Sequence, residues 1–321
     1  MSTILISGAA GFVGGHVTRE AERRQADLRL MSHRSPLSDP ASHADRHPDS
    51  DPDPGPQVVR ADLTEPASLR GVCDGVDVVI HCASQIGGSV EANEAVNARG
   101  TAALVDEARR AGVARIVQLS TASVYGRGTF RGERPEDLTR NPGSPTSLTR
   151  AAAEDEVLAA GGIVLRPHLV YGEGDAWVVP GLARVLRTLP GTVAGWPSLA
   201  SVISVTELAG LLVSTALAPA ADLTASVYHA THPVPVPVET LLRAVAGCTG
   251  IEWPGADLTV EQARAVLWEK GVPPAGLDLF TTDHVFDSSP LWSDLRRTPG
   301  AGFGADFPAA VPWYRKTLQS A

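Results

Sequence analysis

The chain contains very little lysine and tyrosine. Lysine occurs only at Lys270 and Lys316, although Lys and Arg together number 27. No tyrosine lies between Gly126 and Val170. These gaps exclude a catalytic tyrosine–lysine pair from residues 127–169.

Cysteine and long apolar runs are also scarce. Cys73, Cys82 and Cys248 are scattered without the spacing of a metal site, so they predict reduced, buried thiols. No apolar run approaches the roughly 20 residues that span a bilayer. The apolar N-terminal run is too short for a signal peptide and leads directly into a glycine-rich loop. We therefore expect a cytoplasmic protein with no membrane partner.

Charge and length bound the class of protein. The net charge of -9 argues against nucleic acid or an anionic membrane surface as the main partner. A chain of 321 residues with 43% hydrophobic residues can bury a large core, in one domain or two joined lobes.

Strand and helix signals alternate through the first half of the chain, which predicts βαβ units in an α/β, Rossmann-type, doubly wound parallel sheet. The predicted strands are Ile4–Ser7, Leu28–Ser32, Gln57–Ala61, Val76–Cys82, Ile116–Ser120 and Ile163–Arg166. The predicted helices are Phe12–Arg24, Asn93–Ala111, Leu148–Ala160, Val205–Leu217, Val238–Ala246 and Thr259–Lys270. Ser35–Pro56 has no periodicity and predicts a long loop; His43 and His47 in it lack metal-type spacing, so no metal site is expected.

After Pro167 proline and tryptophan become frequent, which indicates a second lobe. We expect residues 1–167, together with 204–230, to form a nucleotide-binding domain. Residues 168–203 and 231–310 would form a smaller C-terminal substrate-binding lobe.

A glycine loop follows the first strand. Gly8, Gly11 and Gly14 are spaced for a tight turn, a close backbone approach to a pyrophosphate and close helix packing. Amides at the start of the next helix would bind the phosphates. The predicted phosphate-binding residues are Gly8, Ala10, Gly11, Phe12, Val13 and Gly14.

The end of the second strand indicates which dinucleotide binds. NAD sites usually carry an acidic residue there, whereas this chain has Ser32, His33 and Arg34. A guanidinium and a hydroxyl suit a 2′-phosphate, so the expected cofactor is NADPH/NADP.

Several segments in family order, spanning nearly the whole chain, resemble the extended short-chain dehydrogenase/reductase family, the NAD-dependent epimerase/dehydratase group. They are Gly8–Gly14, Ala61–Leu63, Val79–Ala83, Val96–Thr101, Leu119–Gly126, Leu165–Gly172 and Phe286–Ser289. The resemblance implies that Asp62 and Leu63 lie by the adenine and that Ala83, Ser84 and Gln85 lie by the cofactor ribose. It also places Leu119, Pro167, His168 and Leu169 at the cofactor, and Thr121 where the family keeps a catalytic Ser or Thr.

The chain departs from this family at its catalytic pair. The family pattern Tyr-x-x-x-Lys-x-x-x-Glu becomes Thr146-x-x-x-Arg150-x-x-x-Glu154, in which Glu154 is expected only to mark the helix position. Thr146 is too weak an acid to replace a phenol, and Arg150 can hydrogen-bond the nicotinamide ribose but cannot relay a proton. A lost general acid typically costs about 10²–10⁴ in rate.

The catalytic candidates are therefore Thr121, Thr146, Arg150 and His168, whose charge is expected to change near neutral pH. Tyr125 and Tyr171 are further replacement acids, for which a packing role is the simpler interpretation.

Three functions remain open. The first is an NADPH-dependent ketoreductase of antibiotic biosynthesis that reduces an aromatic polyketide ketone, with a substrate phenol donating the proton; the chain looks similar to angucyclinone ketoreductases. The second is a nucleotide-sugar ketoreductase or epimerase, for which Arg184, Arg187 and Arg264 would bind the diphosphate. Trp177, Trp196 and Trp253 suit a flat aromatic ligand at least as well. The third is a non-catalytic NADPH-binding sensor. The resemblance also allows a monomer or a homodimer joined through helices 93–111 and 148–160.

Overall fold

The computed structural model describes residues 2–33 and 55–318. Arg34, His43, His47 and nearly all of the predicted loop Ser35–Pro56 lie outside the described residues.

The strands in chain order are β1 (Thr3–Ser7), β2 (Asp27–Ser32), β3 (Gln57–Arg60), β4 (Val78–His81), β5 (Arg115–Leu119), β6 (Phe130–Glu133), β7 (Ile163–Arg166), β8 (Leu169–Tyr171), β9 (Gly191–Val193), β10 (Leu199–Ala200), β11 (Val202–Ser204), β12 (Val227–His229), β13 (Val236–Pro237), β14 (Ala256–Leu258) and β15 (His284–Phe286). The helices are α1 (Phe12–Arg23), α2 (Val90–Asn93), α3 (Gly100–Ala111), α4 (Pro145–Ala159), α5 (Val178–Thr188), α6 (Val205–Leu217), α7 (Val238–Thr249), α8 (Val260–Glu269), α9 (Asp278–Thr281), α10 (Ser289–Asp294) and α11 (Phe303–Leu318).

One sheet has seven strands. Its order is β12-β7-β5-β4-β1-β2-β3, and the pairs from β7 to β3 are parallel. The chain reverses its direction of progress across the sheet between β1 and β4, the switch point of a doubly wound fold. The predicted Rossmann-type class is confirmed.

Apolar runs form the central strands because both faces of the sheet are covered. Ile4, Leu5 and Ile6 of β1 are fully buried, and so are Val79 and Ile80 of β4. Continuous rather than alternating hydrophobicity is the pattern that such strands require. The strands therefore lie close to where the sequence predicts them.

Two helices start earlier than their apolar periodicity indicates. Ser144 caps α4, its Oγ accepting a hydrogen bond from the Ser147 amide at 3.1 Å, and Pro145 takes the first helical position. The predicted helix Asn93–Ala111 begins at Val90 and contains a π-helical segment, Glu94–Arg99, between α2 and α3. Hydrophobic periodicity carries no signal for either feature.

Contacts divide the chain into two units. The first comprises Met1–Gly126, Arg140–Arg166 and Thr206–Tyr228, and the second comprises Arg127–Thr139, Pro167–Val205 and His229–Ala321. The division differs from the predicted one at residues 127–139, because β6 pairs with β15 of the second unit. Inside the second unit, α5, α7 and α11 contribute Leu182, Leu242 and Tyr314 to one apolar core.

Across residues 2–33 and 55–318 we find no helix with both the length and the apolar character needed to cross a membrane.

A buried ion pair links α4 to β7 in the first unit. The Glu154 side chain is fully buried and accepts hydrogen bonds from Arg166 Nε at 2.9 Å and Nη2 at 2.5 Å. Ser120 Oγ and Arg140 Nη1 donate to the same carboxylate. Arg166 Nη1 donates to Tyr125 OH at 2.7 Å. Glu154 is thus the centre of a buried network, in addition to marking a helix position.

Replacing Glu154 tests this network. Glu154→Gln keeps the shape but leaves Arg166 buried without a counter-charge, which typically costs about 3–5 kcal/mol. Asp155→Asn, one residue further along α4, removes an exposed carboxylate that pairs with Arg140, and exposed pairs contribute about 1 kcal/mol or less. Urea unfolding at pH 7 measures both losses of stability. Equal effects of the two changes would contradict the assigned role of Glu154.

Candidate cofactor and active site

The glycine loop lies between β1 and α1 at the carboxyl edge of the sheet. Gly8 has a φ of +71°, and a Cβ placed there would lie 2.7 Å from the Ala83 backbone. A Cβ on Gly14 would lie 2.0 Å from the Gly8 carbonyl oxygen. The loop therefore packs directly against the chain after β4 and against the start of its own helix. Neither contact accommodates a side chain.

The start of α1 leaves its backbone donors available. Gly11 is the N-cap and makes no side-chain capping bond, and the first turn, Phe12–Gly14, contains no acidic residue. The first N–H groups of a helix need acceptors and lie at the positive end of its dipole. The predicted phosphate-binding residues 8–14 thus have the geometry that a pyrophosphate requires.

Ser32 and His33 lie at the carboxyl end of β2, the position expected for the adenine ribose. His33 Nε2 lies 2.6 Å from Asp62 Oδ2, and Asp62 Oδ1 accepts from the Thr64 amide and hydroxyl at 2.8 Å each. The Asp62 carboxylate is thus hydrogen-bonded within the loop that follows β3. The predicted neighbours Asp62 and Leu63 therefore reach the same edge as His33.

Arg150 is a buried cation held by neutral groups. Its Nη1 donates to Ser84 Oγ at 2.8 Å and its Nη2 donates to the Leu119 carbonyl. Its Nε is buried and has no partner among the described residues. Burial lowers the pKa of Arg150 to about 10, against the opposing effects of Glu154 and Cys82, so the group stays protonated at neutral pH. A buried, unpaired donor of this kind is costly unless a ligand satisfies it.

Arg150 brings together three predicted cofactor residues. Ser84 follows β4, Leu119 ends β5 and Arg150 projects from α4. Gly8 contacts Ala83, the neighbour of Ser84. The residues predicted at the phosphates and at the ribose thus form one continuous surface in the first unit. That surface fits a nicotinamide dinucleotide.

Thr121 caps the short helical turn Ala122–Tyr125. Its Oγ1 accepts from the Ser123 amide at 3.1 Å and donates to Ser123 Oγ at the same distance. Thr121 is half-buried, whereas Ser123 is exposed. Of the predicted catalytic residues in the first unit, Thr121 and Thr146 are half-buried, whereas Arg150 is buried.

Thr146 is engaged within the chain. Its Oγ1 donates to Asn93 Oδ1 at 2.8 Å and accepts from the Gly87 amide at 3.1 Å. Asn93 is fully buried. It belongs to no motif in the sequence, so nothing in the sequence distinguishes it from a surface asparagine of the same helix.

The two tyrosines considered as replacement acids are packed elsewhere. Tyr125 is 2% exposed and accepts from Arg166 within the buried network of Glu154. Tyr171 is 3% exposed and packs edge-on against Phe303 in the core of the second unit. The packing interpretation is therefore the one that the geometry supports.

Pro167, His168 and Leu169 directly follow β7 and belong to the second unit. The His168 ring stacks on His284 with centroids 5.2 Å apart, and its Nε2 is buried without a partner among the described residues. Burial, and secondarily the imidazoles of His284 and His229, lower the pKa of His168 to about 3. The expected change of charge near neutral pH is not supported, because the surroundings disfavour the imidazolium.

The remaining candidates lie in the second unit and differ in exposure. Trp177 is 58% exposed, Trp196 is 1% exposed in the core, and Arg243 covers the ring of Trp253 at 4.2 Å. Arg264 pairs with Asp278 at 2.5 Å, and Arg187 donates to a backbone carbonyl, whereas Arg184 is exposed. Of the three tryptophans, Trp177 is the one that presents its ring to solvent.

Comparisons with known proteins assign the chain to a family. A model of the NAD dependent epimerase/dehydratase family matches residues 4–196, so the chain belongs to that family. It is 29% identical over 323 residues to the 2-alkyl-3-oxoalkanoate reductase of Stenotrophomonas maltophilia, covering 92% of this chain and 94% of that protein.

Two further similarities extend the comparison. A 4-hydroxy-2-methyl-3-oxo-4-farnesyl-3,4-dihydroquinoline-1-oxide ketoreductase of Stigmatella aurantiaca is 28% identical over 240 residues, which cover 69% of this chain and 70% of that protein. The Bordetella bronchiseptica enzyme WbmH, solved in complex with NAD⁺, shares the fold with a TM-score of 0.75 at 19% identity, over 99% of both chains. Both sequence relatives are reductases of compounds named as carrying an oxo group.

Substitutions at two neighbouring glycines test the predicted phosphate-binding loop. Gly14→Ala places a methyl group on the Gly8 carbonyl, so we expect dinucleotide binding to be lost or weakened at least tenfold. Gly15→Ala, the next residue of α1, meets its nearest atom at an ordinary 3.5 Å and should bind like the unchanged protein. Titration of the dinucleotide by fluorescence measures both. Similar dinucleotide binding by the two variants would contradict the role of this loop in binding the phosphates.

The low pKa of His168 predicts acid lability. Unfolded histidine titrates near pH 6.5, so between pH 6.5 and pH 3 the unfolded chain binds a proton that the folded chain excludes. Stability should fall as the pH is lowered through this window. His168→Phe should reduce the loss between pH 6.5 and pH 4 by about 3 kcal/mol. Urea unfolding across this range measures it, and an unchanged pH slope would show that His168 is not buried as a neutral ring.

Proposed function

We propose that this protein is an NADPH-dependent ketoreductase. One observation carries the proposal: the buried guanidinium of Arg150 holds Ser84 and the Leu119 carbonyl beside the glycine loop and keeps its Nε unpaired. This arrangement places a guanidinium with an unsatisfied donor at the position where the family has lysine. The family assignment supports the same cofactor class.

The preference for NADPH rests on the end of β2. No acidic side chain follows this strand, where NAD sites usually carry one for the 2′-hydroxyl. Ser32 and His33 stand there instead, followed in sequence by Arg34. A hydroxyl and a guanidinium can both donate to a 2′-phosphate, whereas His33 Nε2 already faces the Asp62 carboxylate.

When bound, the cofactor would supply the hydride for the ketone carbon. Arg150 would orient the ribose, and the Thr121 hydroxyl, which donates to Ser123 Oγ in the structure, would turn to donate to the oxygen on which negative charge develops. Such charge stabilisation and positioning account for much of the barrier reduction in enzymes of this kind. The protein's role is then to position the substrate and the cofactor and to polarise the ketone.

The proton comes from the substrate. The Thr146 proton is committed to Asn93, Tyr125 accepts from Arg166, and His168 is neutral. A phenol next to the ketone can hydrogen-bond the carbonyl and pass its proton to the new alkoxide, after which water reprotonates the phenolate. Aromatic polyketides of the angucyclinone type carry this arrangement.

A matched pair of ketones tests the proposal. We expect NADPH oxidation with an ortho-hydroxyaryl polyketide ketone, little oxidation with its O-methyl ether, and a lower rate with NADH. The absorbance of NADPH at 340 nm measures all three. Full turnover of the methyl ether would contradict proton donation by the substrate.

The same assay separates the other candidates. Reduction of a nucleotide-linked keto-sugar in place of the aromatic ketone would indicate the nucleotide-sugar function. Tight NADPH binding without oxidation by any ketone of the panel would indicate a sensor. Faster turnover with NADH than with NADPH would overturn the cofactor preference.

A further inference from the structure

The peptide of Gly87 is held by two side chains. Gly87 and Gly88, which follow β4, have φ values of +69° and +79°. Consecutive residues in this left-handed region form a permissive piece of backbone, because glycine adopts it without steric cost. The Gly87 N–H donates to Thr146 Oγ1 at 3.1 Å, and its carbonyl accepts from Asn93 Nδ2 at 2.7 Å.

Asn93 uses its whole hydrogen-bonding capacity in this contact. Nδ2 also donates to the Ser89 carbonyl at 2.9 Å, and Oδ1 accepts from Thr146 Oγ1 at 2.8 Å and from Asn97 Nδ2 at 3.3 Å. The residue is fully buried. A buried amide with two donors and two acceptors all satisfied is fixed in orientation and rigidifies what it binds.

A second clamp holds the residue two positions earlier. The Gln85 N–H donates to Asn97 Oδ1 at 2.7 Å, and its carbonyl accepts from Asn97 Nδ2 at 2.9 Å. Immediately before it, Ser84 Oγ accepts from Arg150 Nη1 at 2.8 Å. Within the segment Ser84–Gly88, α4 therefore holds Ser84 and Gly87, α2 also holds Gly87, and the π-helical region holds Gln85.

We propose that Thr146 and Asn93 are positioning residues that fix the segment Ser84–Gly88, so that Ser84 holds the Arg150 guanidinium against the nicotinamide half of the cofactor. This inference rests on the proposed function, since it assumes that a dinucleotide occupies the surface formed by the glycine loop and Arg150. It assigns position 146 a part in cofactor binding that does not involve proton transfer.

The geometry of the tyrosine and threonine side chains explains why position 146 has a different role here than in the family. The threonine hydroxyl lies on Cβ, close to the helix backbone, and reaches both the Gly87 amide and the Asn93 oxygen. A phenol oxygen lies at the far end of an aromatic ring and does not reach partners so close to its own backbone. Proton donation at the end of a ring and a clamp at Cβ are therefore alternative uses of one position.

Binding of whole and half cofactors tests the proposal. Thr146→Val keeps the shape and removes the two hydrogen bonds of the hydroxyl to Gly87 and Asn93, and we expect the Kd for NADPH to rise about five- to tenfold. The Kd for adenosine 2′,5′-bisphosphate, which lacks the nicotinamide half, should stay within about twofold. Thr146→Ser restores the hydroxyl and should recover NADPH affinity. Thr317→Val removes an exposed helical threonine hydroxyl of the second unit and should change neither Kd.

Three outcomes would overturn the positioning role. They are an NADPH Kd unchanged in Thr146→Val, an equal weakening of both ligands, and a hundredfold loss of kcat at unchanged Kd, the last of which would indicate an acid. If NADPH does not bind the unchanged protein, NADH is the probe, and binding of neither overturns both proposals. Binding with the expected pattern of Kd values but without ketone reduction would overturn only the proposed function.

Discussion

The guanidinium of Arg150 joins the chain at the ends of two neighbouring strands, β4 through Ser84 and β5 through the Leu119 carbonyl. A buried cation with only neutral partners is energetically demanding, because desolvation opposes the charge and no carboxylate bonds to it directly. Its unpaired Nε adds to that cost. The loop after β4 is itself held by hydrogen bonds, so it keeps the Arg150 guanidinium in place. Under the proposed function, a polar ligand would complete the site.

Arg166 shows what a structural arginine looks like in the same unit. It is also buried, but it forms two hydrogen bonds with the Glu154 carboxylate and one with Tyr125. All of these partners are internal, and its charge is balanced. Arg166 bonds directly to the Glu154 carboxylate, whereas Arg150 feels that charge only at a distance and bonds to neutral groups.

Threonine and arginine at positions 146 and 150, in place of the family's tyrosine and lysine, affect the position of a loop as well as the source of the proton. Threonine and arginine are both hydrogen-bonded to the chain after β4, one at Gly87 and the other at Ser84. Two positions that the family uses for chemistry therefore meet the same loop. The ketoreductase that we propose would rely on orientation and charge stabilisation, with the proton taken from the substrate.

The sequence by itself determined the fold class, the glycine loop and the residues that reach the carboxyl edge of the sheet, because buried strands and left-handed turns demand specific residue types at short range. It also determined that no phenol–ammonium pair acts at positions 146 and 150. Only the tertiary structure decided what Thr146, Asn93, Glu154 and His168 do. Their roles depend on which partner each polar group meets and on how far water is excluded from it, and both are set by residues distant in the chain.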